Sequence, residues 1–409
     1  MSFSNLNLIE PVLMALQQEG YISPTPVQQK AIPLILKRKD LLACAQTGTG
    51  KTAAFVIPLL QLLHQQVSSQ GVRGLILSPT RELALQIGES IEAYGRYMDL
   101  NHTVLVGGVP QFKQVQAIRN GVDIIVATPG RLMDLIHQRQ LSLSAIQFLV
   151  IDEADRMLDM GFINDVKKIV GRLPKNRQTL LFSATMPASI LSLAESLLHN
   201  PDRIEVTPVS STVTRIEQQL YFTEKQNKEA LLLHLLRSKG MNSVLVFTEM
   251  KHFADKLARN LNRAGIKTDA IHGGKSQNQR QAALYNFKNR KSRVLVATDI
   301  AARGIDIDNL PYVVNYHLPN IPETYVHRIG RTGRAGSSGI AISLCDWSEK
   351  IFLHDIQKLI KISIPVVEDH PFDSSVMHKP VATPKELVSI PSAYSGRRKK
   401  PGRSFIQQM

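Results

Sequence analysis

Short apolar runs that end abruptly in small or polar residues recur along the chain and constrain its fold more than any other feature. Examples are LLACAQTG, GLILSPT, DIIVATPG and FLVIDEAD. Between them lie segments such as RELALQIGESIEAYGRYM, whose apolar residues recur at intervals of three and four and predict helices. Nearly all-apolar strands alternating with helices are typical of a parallel sheet covered on both faces. Because ligands bind beyond the carboxyl ends of such strands, we expect the functional residues there.

The strand and helix pattern is interrupted once and then starts again, which predicts two α/β domains. A chain of 409 residues is long for one domain, since roughly 100 to 200 residues are typical. NPDRIEVTPVSSTVTR, at about residues 200 to 215, is rich in Pro, Ser and Thr and is typical of a linker. The predicted boundaries are 1 to 205 for the first domain, 206 to 215 for the linker and 216 to 365 for the second domain.

Residues 366 to 409 are punctuated by proline and include GRRKKPGR, which predicts a flexible basic tail that either holds RNA or solvates the chain end.

The net charge of +15 favours an acidic partner such as nucleic acid, although a solubilising surface gives the same charge. Cys44 and Cys345 lack partners at metal-ligand spacing, which favours buried free thiols in a reducing compartment. No apolar run approaches the roughly 18 residues that cross a bilayer, so we expect a cytoplasmic protein with no membrane partner.

The segment AQTGTGKT, residues 45 to 52, predicts a phosphate-binding loop because it follows an apolar strand and precedes a helix. Such a turn directs backbone N–H groups and the positive end of the helix dipole at phosphate oxygens. Lys51 is expected on the β- and γ-phosphates and the Thr52 hydroxyl on Mg²⁺. The general pattern has glycine where this chain has Ala45. The predicted nucleotide-binding residues of the loop are Ala45, Gln46, Thr47, Gly48, Thr49, Gly50, Lys51 and Thr52.

Asp152 and Glu153 directly follow the apolar strand FLVI. Ordinary surface acids also follow strands, but beside a phosphate-binding loop an aspartate here is typical of an enzyme that holds Mg²⁺, largely through water. Glu153 is then the candidate general base for the attacking water. The two motifs together predict ATP hydrolysis. Ser183 and Thr185 of SAT close another strand, a weak signal alone that gains value because it falls at the same sheet edge.

The chain resembles the DEAD-box ATP-dependent RNA helicases over about residues 1 to 365, beginning with the letters Asp152-Glu153-Ala154-Asp155 themselves. The resemblance is also carried by GYISPTPVQQ, PTREL, TPGR, SAT, VLVFTEM, SQNQR, VATDIAARGIDI and HRIGRTGR, and is closest in look to the bacterial RhlE-like branch. It implies two tandem RecA-like domains joined by a short flexible linker, with ATP and Mg²⁺ as ligands. The implied partner is RNA, single-stranded or as a short duplex; protein partners are not indicated.

The resemblance also implies roles for individual residues. Gln28 would bond the adenine edge and Phe3 would stack on the ring, with Tyr21 in the same segment. Ser183 and Thr185 would couple the ATP state to strand separation, and Asp306 would reach the ribose or the catalytic arginines. Met250 stands where the family often has Thr or another small polar residue. The implied RNA contacts are Pro79, Thr80, Arg81, Gly108, Thr128, Arg131, Gln277, Arg280, Thr298 and Arg303.

HRIGRTGR, residues 327 to 334, interleaves arginine with glycine. Glycine lets a backbone approach closely, and guanidinium groups suit the charge that develops on a transferred phosphoryl group. The resemblance makes Arg331 and Arg334 catalytic fingers, while His327 and Arg328 would tie the motif to its surroundings. A plain basic patch that binds RNA is the alternative.

The candidate RNA contacts are backbone amides, hydroxyls and arginines, which suit phosphates and sugars rather than bases. We therefore expect weak sequence preference. Two other functions fit the same residues: an ATP-gated RNA clamp or assembly scaffold that seldom unwinds, and, less favoured, a DNA-directed helicase of the same two-domain design.

Overall fold

The computed structural model describes residues 2–46, 48–66, 71–206, 216–302, 307, 310–333 and 339–373. In these ranges the chain forms two separate sheets, of seven and six strands, in which every strand pairing is parallel. The two sheets confirm the predicted α/β class and the tandem arrangement.

The first sheet comprises β1 Leu41–Ala45, β2 Gly74–Leu77, β3 His102–Leu105, β4 Ile124–Ala127, β5 Phe148–Ile151, β6 Gln178–Ser183 and β7 Asp202–Val206. Their order across the sheet is β3-β4-β2-β5-β6-β1-β7. The helices are α1 Glu10–Gln18, α2 Pro26–Leu36, α3 Lys51–His64, α4 Arg81–Gly95, α5 Gln111–Arg119, α6 Pro129–His137, α7 Ala154–Asp159, α8 Ile163–Val170 and α9 Ala188–Leu197, after a 3₁₀ turn at Phe3–Leu6. They bury both faces of the sheet in two hydrophobic cores, which explains why the central strands are apolar throughout.

The second sheet comprises β8 Glu217–Phe222, β9 Val244–Thr248, β10 Thr268–Ile271, β11 Val294–Thr298, β12 Tyr312–Asn315 and β13 Ile340–Cys345. Their order is β10-β11-β9-β12-β13-β8. Its helices are α10 Lys228–Ser238, α11 Lys251–Arg263, α12 Gln277–Lys288, α13 Asp299–Ala302, α14 Pro322–Ile329 and α15 Lys350–Ile360, with 3₁₀ turns at Lys225–Asn227 and Trp347–Glu349. Both cysteines are free thiols; Cys345 is buried, as predicted, whereas Cys44 is only partly buried.

Residues 202 to 206 fall within the Pro-, Ser- and Thr-rich stretch at about residues 200 to 215, and all but Val206 lie inside the predicted first domain. These residues form β7, which pairs in parallel with β1 from Leu41 opposite Asp202 to Ala45 opposite Val206. The strand alternates charged and apolar residues because it lies at the sheet edge, where one side remains accessible to water. Residues 207 to 215 lie outside the described ranges.

Residues 366 to 373, the first part of the predicted tail, are packed on the second domain. The Leu220 N–H donates to the Pro365 carbonyl at 2.8 Å, and the Val367 N–H donates to the Leu220 carbonyl at 2.8 Å. Val367 and Phe372 pack against the hydrophobic core of the second sheet. This segment therefore covers the free edge of β8, and the basic cluster beyond it falls outside the described residues. Within the described part of the chain, no helix combines the length and apolar character needed to span a bilayer.

Candidate active site

The predicted phosphate-binding loop joins β1 to α3 at the carboxyl edge of the first sheet. Gly48 and Gly50 have φ values of 78° and 89°, in a region that residues with a side chain rarely adopt. The Thr49 hydroxyl donates to the Gln46 carbonyl at 2.8 Å and closes the turn. Ala45 packs into the core, so the fold accommodates the methyl group that departs from the glycine pattern. Thr47 is not among the described residues.

Lys51, the first residue of α3, carries the strongest signal for an anion. Its side chain is only 6% exposed, and its Nζ has no hydrogen-bond partner among the described residues. A buried ammonium group without a partner is unfavourable, so an anion at this position would satisfy it. Thr52 follows in the first turn of α3 and is half-buried. The pair therefore fits the predicted phosphate and cation contacts.

Gln28 links the N-terminal segment to the phosphate-binding loop. Its Oε1 accepts from the Thr25 N–H at 2.9 Å, and its Nε2 donates to the Gly50 carbonyl at 3.2 Å. A Cβ at Gly50 would lie 2.5 Å from Gln28 Nε2, so this contact requires glycine. Each end of the amide retains one further hydrogen-bonding position, which an adenine edge can use.

Phe3, which is predicted to stack on adenine, is buried in this structure. Phe3 is only 4% exposed and belongs to the hydrophobic core of the first domain. The ring packs edge-on against Tyr21 with centroids 5.9 Å apart, and the Tyr21 hydroxyl lies 2.6 Å from that of Tyr94. Burial, reinforced by the hydrogen bond between Tyr94 and Tyr21, raises the pKa of Tyr94. In this arrangement the ring offers no open face to a base, so stacking requires Phe3 to become accessible.

Three buried acidic residues, Asp152, Glu153 and Asp155, follow β5. Burial raises the pKa of Asp152 to about 7; Lys51 opposes that rise and Glu153 adds to it. A cation beside Asp152 would offset the cost of keeping it ionised. Glu153 has φ 53° and ψ 52°, a left-handed conformation that is costly for a residue with a side chain and is found most often at functional sites.

Arg156 contacts Glu153 and was not predicted from the sequence. Its Nη1 donates to Glu153 Oε2 at 2.8 Å, and both side chains are buried. The signal that could have found it is the spacing of three residues, which places both side chains on one side of a helical turn.

Ser183 and Thr185 are bonded to Asp155 of the acidic motif. The Thr185 N–H and hydroxyl both donate to Asp155 Oδ2 at 3.0 Å, and the Asp155 N–H donates to Ser183 Oγ at 3.3 Å. Although burial opposes the shift, Lys51 and then His327 lower the pKa of Asp155. Because Lys51 belongs to the first domain and His327 to the second, charges from both domains act on the Asp155 carboxylate.

The second domain places Arg328 and Arg331 beside the first. Arg328 is buried and bonds Asp299 through Nε at 2.6 Å and Nη2 at 2.7 Å, so it is fixed within its own domain. Arg331 is 4% exposed and lines a small cavity with His327 and, from the first domain, Arg156. Arg334 and Asp306 lie outside the described residues.

Gln277 and Arg280, two of the predicted RNA contacts, have another partner in this arrangement. Gln277 Nε2 donates to Glu82 Oε1 at 3.1 Å, and Arg280 Nη2 lies 3.0 Å from Glu82 Oε2. Glu82 belongs to α4 of the first domain, whereas Gln277 and Arg280 belong to α12 of the second. These side chains therefore form a direct contact between the domains. No sequence pattern indicated Glu82 as their partner.

The other described RNA candidates lie where strands end. Thr80 follows β2 and caps α4, accepting from the Leu83 N–H at 3.3 Å, and Thr298 ends β11. The Arg81 guanidinium covers Gly108, where a Cβ would approach within 2.1 Å of Arg81 Nη1. Pro79, Thr128 and Arg131 complete the set in the first domain, and Arg303 falls outside the described residues.

A cavity of about 610 Å³, partly open to solvent, lies between the domains, and sequence patterns could not reveal it because both domains form its walls. Its lining includes Cys44, Asp155 and Thr185 from the first domain and Thr324, His327 and Leu359 from the second. The SAT segment and the second-domain motif thus line one shared cavity.

Comparison with known families gives two matches, to the DEAD/DEAH box helicase family over residues 25–193 and to the helicase conserved C-terminal domain over residues 227–336. The DEAD-box ATP-dependent RNA helicase RhpA of Helicobacter pylori (strain B128) is 39% identical over 393 residues, which cover 96% of this chain and 79% of that protein. The ATP-dependent RNA helicase DbpA of Bacillus subtilis (strain 168) is 43% identical over 366 residues, which cover 90% of this chain and 76% of that protein.

Among solved structures, S. cerevisiae Dbp5 bound to RNA and ADP BeF3 superimposes with a TM-score of 0.81 and 31% identity. The match covers 90% of this chain and 95% of the Dbp5 chain. The similarity therefore extends over both domains and not over one sheet alone.

Proposed function

The chain belongs to the DEAD-box ATP-dependent RNA helicases, and we propose that it unwinds short RNA duplexes locally by closing and reopening its two domains. It is an ATP hydrolase whose partner is RNA. The observation that carries the proposal is the shared cavity in which Arg331 of the second domain lies beside Arg156, the partner of Glu153. The RhlE-like branch and the cytoplasmic location stay predictions from the sequence.

The phosphate-binding loop and the neighbouring Asp152 fit ATP and Mg²⁺, because Lys51 and Asp152 are buried charged residues. Lys51 presents a buried ammonium group that lacks a hydrogen-bond partner in the described ranges and suits a phosphate oxygen. Thr52 and Asp152 supply the oxygen ligands that Mg²⁺ prefers, directly or through water. When bound, magnesium would neutralise phosphate charge and orient the triphosphate.

Glu153 and Arg331 share the chemical step in this proposal. Glu153 accepts the proton of the attacking water as the γ-phosphoryl group is transferred. Arg331 adds positive charge from the second domain as negative charge develops on the phosphoryl oxygens. Arg334 stays a predicted second finger. Because these groups come from both domains, hydrolysis requires the domains to be together.

The link between ATP state and RNA is proposed to run through Asp155 and Glu82. Asp155 holds Thr185 and is influenced by His327 of the second domain, while Glu82 binds Gln277 and Arg280 across the cleft. Closure would align the strand ends that carry the RNA candidates, so that one strand is bent and a short duplex is destabilised. The candidates in this role are Pro79, Thr80, Arg81, Gly108, Thr128, Arg131, Thr298 and Arg303.

The function is tested by measuring ATP hydrolysis with single-stranded RNA, single-stranded DNA or no nucleic acid. We expect strong stimulation by RNA and little by DNA, because RNA is the substrate class of the family. Equal stimulation by DNA would favour a DNA-directed motor. Unwinding of a short RNA duplex under multiple turnover separates a helicase from an ATP-gated clamp, which would hydrolyse ATP without separating strands.

Replacing Lys51 with alanine is expected to lower kcat/KM for ATP by about 10- to 100-fold, since a hydrogen bond to a charged group contributes about 1.5–3 kcal/mol. Steady-state hydrolysis at saturating RNA measures the effect. Lys168→Ala is a matched control, because that side chain is 66% exposed on α8. An unchanged kcat/KM in Lys51→Ala would overturn the assignment of the phosphate-binding loop.

A further inference from the structure

We infer that Arg156 is a positioning residue for ATP hydrolysis, which holds one oxygen of the Glu153 carboxylate so that the other faces the attacking water. The inference rests on the proposed role of Glu153 as the general base. It assigns a function to a buried arginine that follows the acidic motif and that the mechanism above does not use.

The geometry of the pair restricts the carboxylate. Arg156 Nη1 lies 2.8 Å from Glu153 Oε2, and the two side chains are 3% and 4% exposed. Oε1 of Glu153 accepts no hydrogen bond from the described residues, so only one oxygen of the group is occupied. A guanidinium N–H is directional, and its bond therefore opposes rotation of the carboxylate away from this orientation.

The backbone at Glu153 explains why such a restraint is needed. Its left-handed conformation, φ 53° and ψ 52°, places the side chain at the junction between β5 and α7 rather than within a regular element. Neither element fixes the side-chain torsions of a residue in such a junction. Arg156, three residues later in α7, supplies the hydrogen bond that fixes the orientation of the Glu153 carboxylate.

The position of Arg156 connects this restraint to the second domain. The residue lines a small cavity together with Phe247, Asp299, Arg328 and Arg331, all from the second domain. The backbone N–H of Arg156 donates to Asp155 Oδ1 at 3.1 Å, and this bond anchors the first turn of α7. In this arrangement the buried guanidinium group lies where the domains meet, and exclusion of water there strengthens its bond to Glu153.

The test compares Arg156→Met and Arg156→Lys in the full chain at saturating RNA. For Arg156→Met we expect kcat to fall about 10- to 100-fold, because a small displacement of a catalytic group has effects of that size. KM for ATP and Kd for RNA should change less than about twofold. Arg156→Lys should recover part of kcat, since it keeps a charge and a donor although it lacks the guanidinium geometry.

Arg73→Met is the matched control for loss of a buried ion pair. Arg73 is equally buried, and its Nε donates to Asp123 Oδ1 at 3.1 Å at the opposite, amino-terminal edge of the first sheet. We expect a lower Tm for Arg73→Met with kcat unchanged when assayed well below that Tm. A merely structural role for Arg156 would give the same result for both substitutions.

A double-mutant cycle completes the test. In the Glu153→Gln background, Arg156→Met should reduce kcat no further, because the group that Arg156 positions no longer acts as a base. If Glu153→Gln is inactive while a folded Arg156→Met keeps its kcat, the inference fails and the proposed function stands. If Glu153→Gln itself turns over normally, the base assignment fails first. Should Arg156→Met not fold, wild-type kcat in Arg156→Gln would overturn the inference.

Discussion

Glu153→Gln is expected to lower kcat for RNA-stimulated ATP hydrolysis by about 10² to 10⁴, the range that general-base catalysis contributes. The amide has the same size as the carboxylate and still offers an oxygen to Arg156, so the site should keep its shape. It cannot accept a proton from the attacking water. Binding of ATP and of RNA should therefore remain close to that of the unmodified chain.

The measurement combines steady-state hydrolysis with separate titrations of nucleotide and RNA. Glu89→Gln, on the exposed side of α4, removes the same charge at a distance from the site and serves as the control. A normal turnover number in Glu153→Gln would remove this residue as the base. A parallel loss of ATP binding would instead mean that the carboxylate holds the nucleotide or its cation.

Features that depend on neighbouring residues in the chain were predictable from the sequence. The loop at Lys51 and the acids after β5 each combine an apolar strand with a specific turn, and both motifs lie at the expected edge of the sheet. The quoted apolar runs predicted β1, β2, β4 and β5, because a strand buried on two faces carries the signal in its own residues. The parallel order of the strands then brought these motifs together.

Features that depend on distant partners were not predictable. β7 lacked an apolar run because an edge strand is partly exposed, and the segment around Val367 was missed because its hydrogen bonds are made to β8. Gln277 was predicted to contact RNA, since nothing in the sequence indicates that Glu82 faces it across the cleft. The pairing of Arg156 with Glu153, by contrast, is local, and its spacing of three residues is a signal that the sequence did carry.

Arg331→Ala is expected to lower kcat at saturating RNA by about 10³ or more, as loss of an arginine finger does in other phosphoryl-transfer enzymes. The reason lies in where the side chain is placed. Arg331 is buried in the cavity that it shares with His327 and Arg156, rather than on an open surface that could receive a nucleic-acid backbone. Its charge is therefore available to the first domain's active site and not to an external strand.

The two interpretations of this arginine predict opposite outcomes. A finger leaves Kd for RNA nearly unchanged and reduces kcat, whereas a basic patch weakens RNA binding and leaves the RNA-saturated kcat intact. Arg259→Ala, an exposed arginine of α11 in the same domain, controls for the general loss of positive charge and should change neither quantity beyond about twofold. Hydrolysis rates at saturating RNA, with RNA Kd measured at two salt concentrations, separate the two cases, because a lost phosphate contact also reduces the salt dependence. Weakened RNA binding with an intact kcat would return Arg331 to the basic-patch interpretation and leave the second domain without a described catalytic group.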